Sequence, residues 1–319
     1  MRVFILLTSF FLGSFTTSLF SKVQYTGKEE VTVVNRMETK HCFISYVMIN
    51  GKTYLLKQKK DYKKQLSVVR DALSAYIAQT LKGIAHEISI IEAKKDFSGK
   101  VKLSWPATLH TLAPGETVRK QRDSKYNALR LRQLWAQAPS FAEQGLTKMI
   151  IEHITWHKQL PEIVALDLFI GNSDRHCGNL CYDPATDRFC AIDMDDTFNK
   201  DLCLLACKKL KSMIEDDHIK FTPKELHALS CISKTLRILV RAHTPYDMIQ
   251  KLHFFAVKAG FGPGGLMCND KARERLLYFE QMIRESHVSA QKLIALLEHI
   301  IKNQTFNKLH NNGEKNGLV

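Results

Sequence analysis

The chain has 319 residues, about 45% of them hydrophobic, and carries a formal net charge of +14. That length allows one large domain or two smaller ones, and that apolar content excludes wholesale disorder. The charge favours anionic partners such as a nucleotide, a phosphoinositide or other anionic membrane surface, or an acidic protein; without zinc-finger spacing or an aromatic-interleaved basic repeat, nucleic acid is the weakest of them.

The N-terminus, MRVFILLTSFFLGSFTTSLFSK, opens with Arg2, runs apolar from Val3 to Phe15 and becomes small or polar over Thr16–Ser21. This pattern predicts a secretory signal peptide over 1–21, with an uncleaved membrane anchor and a buried helix as alternatives. Export would require a compartment that contains ATP if the chemistry below needs it. Glu30–Asn35 is β-branched and predicts a strand; Cys42–Ile49 predicts a second. Asn50-Gly51 is a tight-turn signal, and Thr53–Gln58 returns as a third strand bearing Lys57. Leu66, Val69, Leu73, Ile77 and Leu81 share one helical face, with Gly83 as the stop. Glu87–Ala93 predicts another strand, and Val101–Leu112 is extended with an interruption at Pro106. Ala113-Pro114-Gly115 marks a boundary.

Beyond it the pattern turns helical: Ala128–Ala138, Glu143–His157 and Leu160–Ile170. A hairpin follows, Asn179–Tyr182 and Arg188–Ile192 about an Asp183–Asp187 turn. From Leu202 to Lys308 the chain reads as helices broken at Thr222-Pro223, Thr244-Pro245 and Gly260–Gly265, clearest over Leu276–His287 and Val288–Ile301, before a polar tail from Asn303. The plan is α+β and bilobal, with a strand-rich part over 22–113 and a helical part over 114–319. Basic clusters fall at Lys57–Lys64, Arg119–Arg132 and Lys208–Lys211. Eight cysteines are present; Cys181 and Cys190 flank the hairpin turn symmetrically, and Cys177/Cys181 and Cys203/Cys207 form C-x3-C pairs, leaving free thiols, a cross-strand disulfide or zinc as the options.

Residues 170–198, IGNSDRHCGNLCYDPATDRFCAIDMDDTF, carry the chemistry. Asp174 and Asn179 stand in an Asp-x4-Asn spacing, and Asp193 closes a short apolar run. Phosphoryl transfer needs an Asp facing the acceptor hydroxyl, an Asn on Mg2+ and a second Asp on Mg2+. The GNSDRHCGN segment followed by AIDMDD resembles the phosphatidylinositol 3/4-kinase-like branch of the protein-kinase-like superfamily, with related patterns in HipA-like bacterial protein kinases. The order of elements agrees over most of residues 25–200; close motif agreement is confined to the motif itself.

The resemblance implies a bilobal protein-kinase-like fold and an ATP-dependent phosphotransferase acting on a protein Ser/Thr or a phosphoinositide hydroxyl. It makes Asp174 the catalytic acid/base, with Arg175 and His176 beside it, Arg175 adding charge for the triphosphate. It gives ATP to Lys57, with Asp71 as the ammonium's acidic partner, and Mg2+ to Asn179 and Asp193. Adenine would be read near His110–Ala113. No Gly-x-Gly-x-x-Gly loop precedes Lys57. Two rival readings remain. Asp193-Met194-Asp195-Asp196-Thr197 also fits the Asp-x-Asp-x-Thr of haloacid-dehalogenase-like phosphatases, with Asp193 as nucleophile and Asp195 as acid/base. A nucleotide-binding pseudokinase acting as an interaction module is the other.

Overall fold

The structure is a computed structural model, and it describes residues 31–39, 42–59, 66–91, 96–97, 101–102, 107–118, 144–215, 220–261 and 270–315. The expected signal segment, the Arg119–Arg132 cluster, the Ala128–Ala138 helix and Cys268 lie outside them.

The meander forms as its turn residues dictate. Strands β1 (Val31–Glu38), β2 (Cys42–Ile49) and β3 (Lys52–Lys59) pair antiparallel, and Asn50 and Gly51 both take positive φ at the β2–β3 turn. β1 carries a bulge between Val33 and Asn35 and runs past the predicted end at Asn35. Helix α1 (Leu66–Ala78) follows, and β4 (Ile88–Ile91) returns beside the sheet. A small hairpin of β5 (Asp96–Phe97) and β6 (Val101–Lys102) precedes β7 (Ala107–Thr111). The sheet order is β1-β2-β3-β7-β4, so the Lys57 strand lies in its middle.

The predicted boundary at Ala113–Gly115 leads into a strand, β8 (Glu116–Thr117), that pairs with the later hairpin of β9 (Leu180–Asp183) and β10 (Arg188–Ala191). Two residues carry no periodicity, so β8 is invisible in the sequence. Gly115, at φ +74, passes so close that an added Cβ would lie 2.2 Å from the Tyr182 carbonyl oxygen. Cys181 and Cys190 are direct cross-strand partners, and both are buried free thiols; burial pushes Cys190 up to about 12.

Helix α2 (Lys148–Ile154) starts later than predicted: Gly145 takes positive φ, and the Thr147 hydroxyl accepts from the Ile150 N–H as N-cap. α3 (Leu160–Ile170) leads into the motif, and α4 (Leu202–Glu215), α5 (Pro223–Ala242), α6 (Pro245–Lys258) and α7 (Asp270–Lys315) follow it. Thr222 and Glu225 form a reciprocal capping box at α5, and Thr244 caps α6. The two predicted late helices are one, 46 residues long, because nothing between His287 and Val288 breaks the backbone, and it runs into the predicted polar tail.

α5 packs on α2, α3 and α7, while α1 packs on α6 and β4, so the helical part, α1 and the β4 edge of the sheet share one continuous apolar core. The result is the expected α+β plan, an antiparallel sheet in the first part of the chain and helices in the second. No described helix is long and apolar enough to cross a membrane.

Candidate active site

α3 is apolar almost all round, which suits a buried helix; its two carboxylates are Glu162 in the first turn, half-buried, and Asp167, fully buried. The helix stops at Gly171, whose φ of +61 and close approach to the Lys200 carbonyl leave no room for a side chain: an added Cβ would lie 2.4 Å from that oxygen. We expect Gly171→Ala to destabilise the fold by about 1 kcal/mol or more, read as a lowered thermal unfolding midpoint.

The loop after Gly171 is fixed from beneath. Arg175, 1% exposed, donates two bonds to the Asp167 carboxylate, at 3.0 and 2.9 Å, and others to the Asn179 and Ile192 carbonyls, the latter at 2.8 Å. Asn172 joins them by donating to Asp167 at 2.9 Å and accepting from the Asp174 N–H at 3.1 Å. The expectation that Arg175 adds charge for a triphosphate is therefore corrected: its guanidinium is spent inside the fold, tying α3, the loop and the end of β10 together. His176 also serves the loop, its Nδ1 accepting from the Gly178 N–H at 2.9 Å. In the neutral ring this leaves the proton on Nε2, which lies 3.8 Å from Asp174.

Asp174 sits on top of this brace with its side chain 52% exposed. Asn179 steers it, donating to the Asp174 carboxylate at 3.1 Å and to its carbonyl at 2.9 Å. Burial holds the Asp174 carboxyl above its ordinary range; the charges of Asp193 and Asp196 add to the rise, against His176 and Asn179.

Lys57 reaches from β3 to Asp193 and, at 3.0 Å, to Asp195, while Lys59 pairs with Asp195. Burial opposes the charge on Lys57, but Asp193, Asp71 and Asp195 outweigh it and hold the ammonium well above its ordinary range. Although burial works against its ionisation, Asp195 is held well below the usual carboxylate range by Lys57 and Lys59. Asp193 has φ +54, the left-handed region that Asp tolerates better than most residues, and its side chain is 41% exposed. Asp196 accepts from the Ser173 hydroxyl at 2.8 Å and from Asn199, and the Arg70 guanidinium of α1 lies 3.9 Å away.

Asp71 departs from expectation. It is buried in α1 and accepts from the Met194 N–H at 3.2 Å, with His110 facing its other oxygen at 3.6 Å, while the Lys57 ion pairs go to Asp193 and Asp195. Asp71 acts on Lys57 through its charge, without a direct contact. His110, predicted near the hinge, points inward beneath the sheet instead. The residues that sequence reasoning missed are Lys59, Asp167, Asn172, Ser173 and His86.

The donor set fits Mg2+. Asp193 and Asn179 offer hard oxygen ligands, and no three His, Cys, Asp or Glu side chains among the described residues converge as a protein cage. Mg2+ commonly takes one or two carboxylates together with phosphate oxygens.

Among the solved structures that resemble the chain are two bacterial proteins. A Helicobacter pylori proinflammatory kinase, CtkA, aligns with a TM-score of 0.45 at 14% identity, covering 86% of this chain and 97% of that one. HipA, from a Shewanella oneidensis toxin–antitoxin complex with HipB and operator DNA, aligns with a TM-score of 0.42 at 8% identity, covering 88% of this chain and 68% of that one. Both likenesses are distant. No family model matches the sequence, and no curated protein matches it.

The phosphatase alternative needs a parallel sheet carrying further site residues after Asp193. Among the described residues the elements after β10 are helices, and the parallel pairing is one isolated bridge, Ala85 with Ala191.

Proposed function

We propose that the protein is a Mg-ATP-dependent phosphotransferase whose acceptor is a hydroxyl, of a protein Ser/Thr or of a phosphoinositide. One observation carries this reading: the sheet delivers Lys57 to Asp193, in the same motif that presents the exposed carboxylate of Asp174. Phosphoryl transfer asks little covalent chemistry of the protein and much positioning and charge.

In this reading Asp174 accepts the hydroxyl proton, and Asn179 aims its carboxylate. Lys57 leaves part of its pairing with Asp193 to meet the α/β-phosphates, and Lys59 keeps Asp195 ionised and fixed. Asp193 and Asn179 would hold Mg2+, which supplies charge neutralisation at the phosphate oxygens when bound. Arg175 and His176 hold the loop in place. The formal charge of +14 favours an anionic acceptor, lipid headgroup or acidic protein alike.

The test is Mg-ATP binding by calorimetry together with γ-phosphate transfer. The wild type is expected to do both, and Asp193→Ala to weaken Mg-ATP binding about tenfold or more, as loss of a metal-positioning group does. Binding without transfer to any protein or phosphoinositide acceptor would favour the pseudokinase. Phosphate-ester hydrolysis without ATP, lost in Asp195→Asn, would favour the phosphatase.

A further inference from the structure

The stretch that follows Asp193 is gripped from one side by α1. Arg70 and Ser74 stand one turn apart on that helix and so share a face. Arg70 donates to the Thr197 carbonyl at 3.2 Å and to the side-chain oxygen of Asn199. Ser74 meets the Thr197 hydroxyl at 2.8 Å, with both groups buried. The Thr197 hydroxyl spends its one proton on the Met194 carbonyl at 3.3 Å, so Ser74 is the donor between them. The Phe279 ring of α7 supports the Arg70 guanidinium, with its centroid 5.2 Å away.

Between the two residues that Arg70 holds sits Phe198, buried and at φ +55. That left-handed conformation is uncommon for a bulky side chain and persists only where the surroundings fix it. The Phe198 N–H donates at 2.8 Å to the Ile170 carbonyl, at the end of α3. The strained turn is thus pinned between α1 and the helix that leads into the catalytic loop.

The same turn reaches the neighbour of Asp174. The Asn199 amide nitrogen donates to one oxygen of Asp196, and the Ser173 hydroxyl donates to the other at 2.8 Å. The Ser173 N–H also donates to the Asp196 carbonyl at 3.3 Å. Asn199 therefore takes Arg70 with its oxygen and Asp196 with its nitrogen. Four side chains form one line from α1 to the residue immediately before Asp174. Lys57 meanwhile spends its ion pairs on Asp193 and Asp195, so what α1 holds through this line is the catalytic loop and not the lysine.

We propose that Arg70, Asn199, Asp196 and Ser173 are positioning residues for Asp174, a relay through which α1 sets the base against the segment that carries Asp193. Asp196 is the joint of this relay: both of its carboxylate oxygens and its carbonyl are engaged in it. A displacement of α1 would then alter the rate of transfer, through the aim of Asp174, more than the hold on the nucleotide. Misplacing a reacting group by about 1 Å from a distance can cost on the order of 10²-fold in rate.

The inference rests on the phosphotransferase reading, and its test separates the two. In the full chain, Arg70→Met and Ser173→Ala are each expected to lower kcat about 10–100-fold while KM for Mg-ATP stays within about threefold of wild type. Ser173→Thr, which keeps the hydroxyl, is expected to recover most of the loss. Because both changes cut one line, the Arg70→Met/Ser173→Ala double variant is expected to stay within about threefold of the slower single variant. Asn199→Ala leaves Arg70 against Phe279 and cuts the same line, so it should reproduce the fall in kcat. Amide exchange across residues 171–176, followed by mass spectrometry without nucleotide, is expected to quicken about tenfold in Arg70→Met and in Asn199→Ala. Losses that multiply in the double variant, a defect in KM with kcat intact, or unchanged exchange in both Arg70→Met and Asn199→Ala would overturn the proposal. If the wild type transfers no phosphate, the functional reading fails while the exchange still decides whether α1 holds the loop.

Discussion

Asp174→Ala is expected to bind Mg-ATP as tightly as the wild type and to transfer phosphate roughly 10²–10⁴-fold more slowly, the range a positioned general base supplies. Binding survives because the side chain is half exposed and the loop beneath it is held by Arg175, Asn172 and Asp167, none of which needs the Asp174 carboxylate. The rate falls because no other exposed carboxylate is steered by Asn179. The pH profile carries a second signature. Burial, with Asp193 and Asp196, raises the Asp174 carboxyl, and a base must be ionised to act. Turnover should therefore decline as pH falls through a value above the ordinary carboxylate range, and that acidic limb should vanish in the residual activity of Asp174→Ala. Single-turnover transfer across pH measures both effects; a variant within threefold of wild type would remove Asp174 from the chemistry.

What the sequence disclosed and what it concealed divide by distance along the chain. The meander was legible because Asn50-Gly51 fixes a two-residue turn, and that turn sets the register that puts Lys57 opposite Ile44 and Thr108. The same alternation places Lys59 on the face of Lys57, so its approach to Asp195 was readable in principle; the surrounding lysine run disguised it as a solvated surface. Arg175 was misjudged because its partner Asp167 lies within the apolar run Ile163–Ile170 of its helix. A carboxylate inside such a buried run is itself the signal, since a charge there requires a partner. The contact between buried His86 and His110 had no local signature: the two rings come from separate segments, and only the fold brings them together.

Arg175→Ala should be the most destabilising single change at the site, lowering unfolding free energy by about 3–5 kcal/mol. The substitution leaves Asp167 buried with its charge uncompensated, and it strips the Ile192 and Asn179 carbonyls of a donor. Against a typical total of roughly 5–15 kcal/mol, that loss leaves little reserve. Arg175→Lys should recover only a small part of it, since a point ammonium cannot span both carboxylate oxygens and also reach two carbonyls. Asp167→Leu combined with Arg175→Met should be less destabilised than Arg175→Ala, because removing both charges also removes the unpaired one. Urea denaturation of the wild type and these three variants orders them. Arg175→Ala within about 1 kcal/mol of wild type, but with weakened ATP binding, would show instead that the guanidinium serves the phosphates. The predicted order, with Arg175→Ala and Arg175→Lys both low and the charge-free pair above them, belongs to a brace whose value lies in pairing a buried carboxylate.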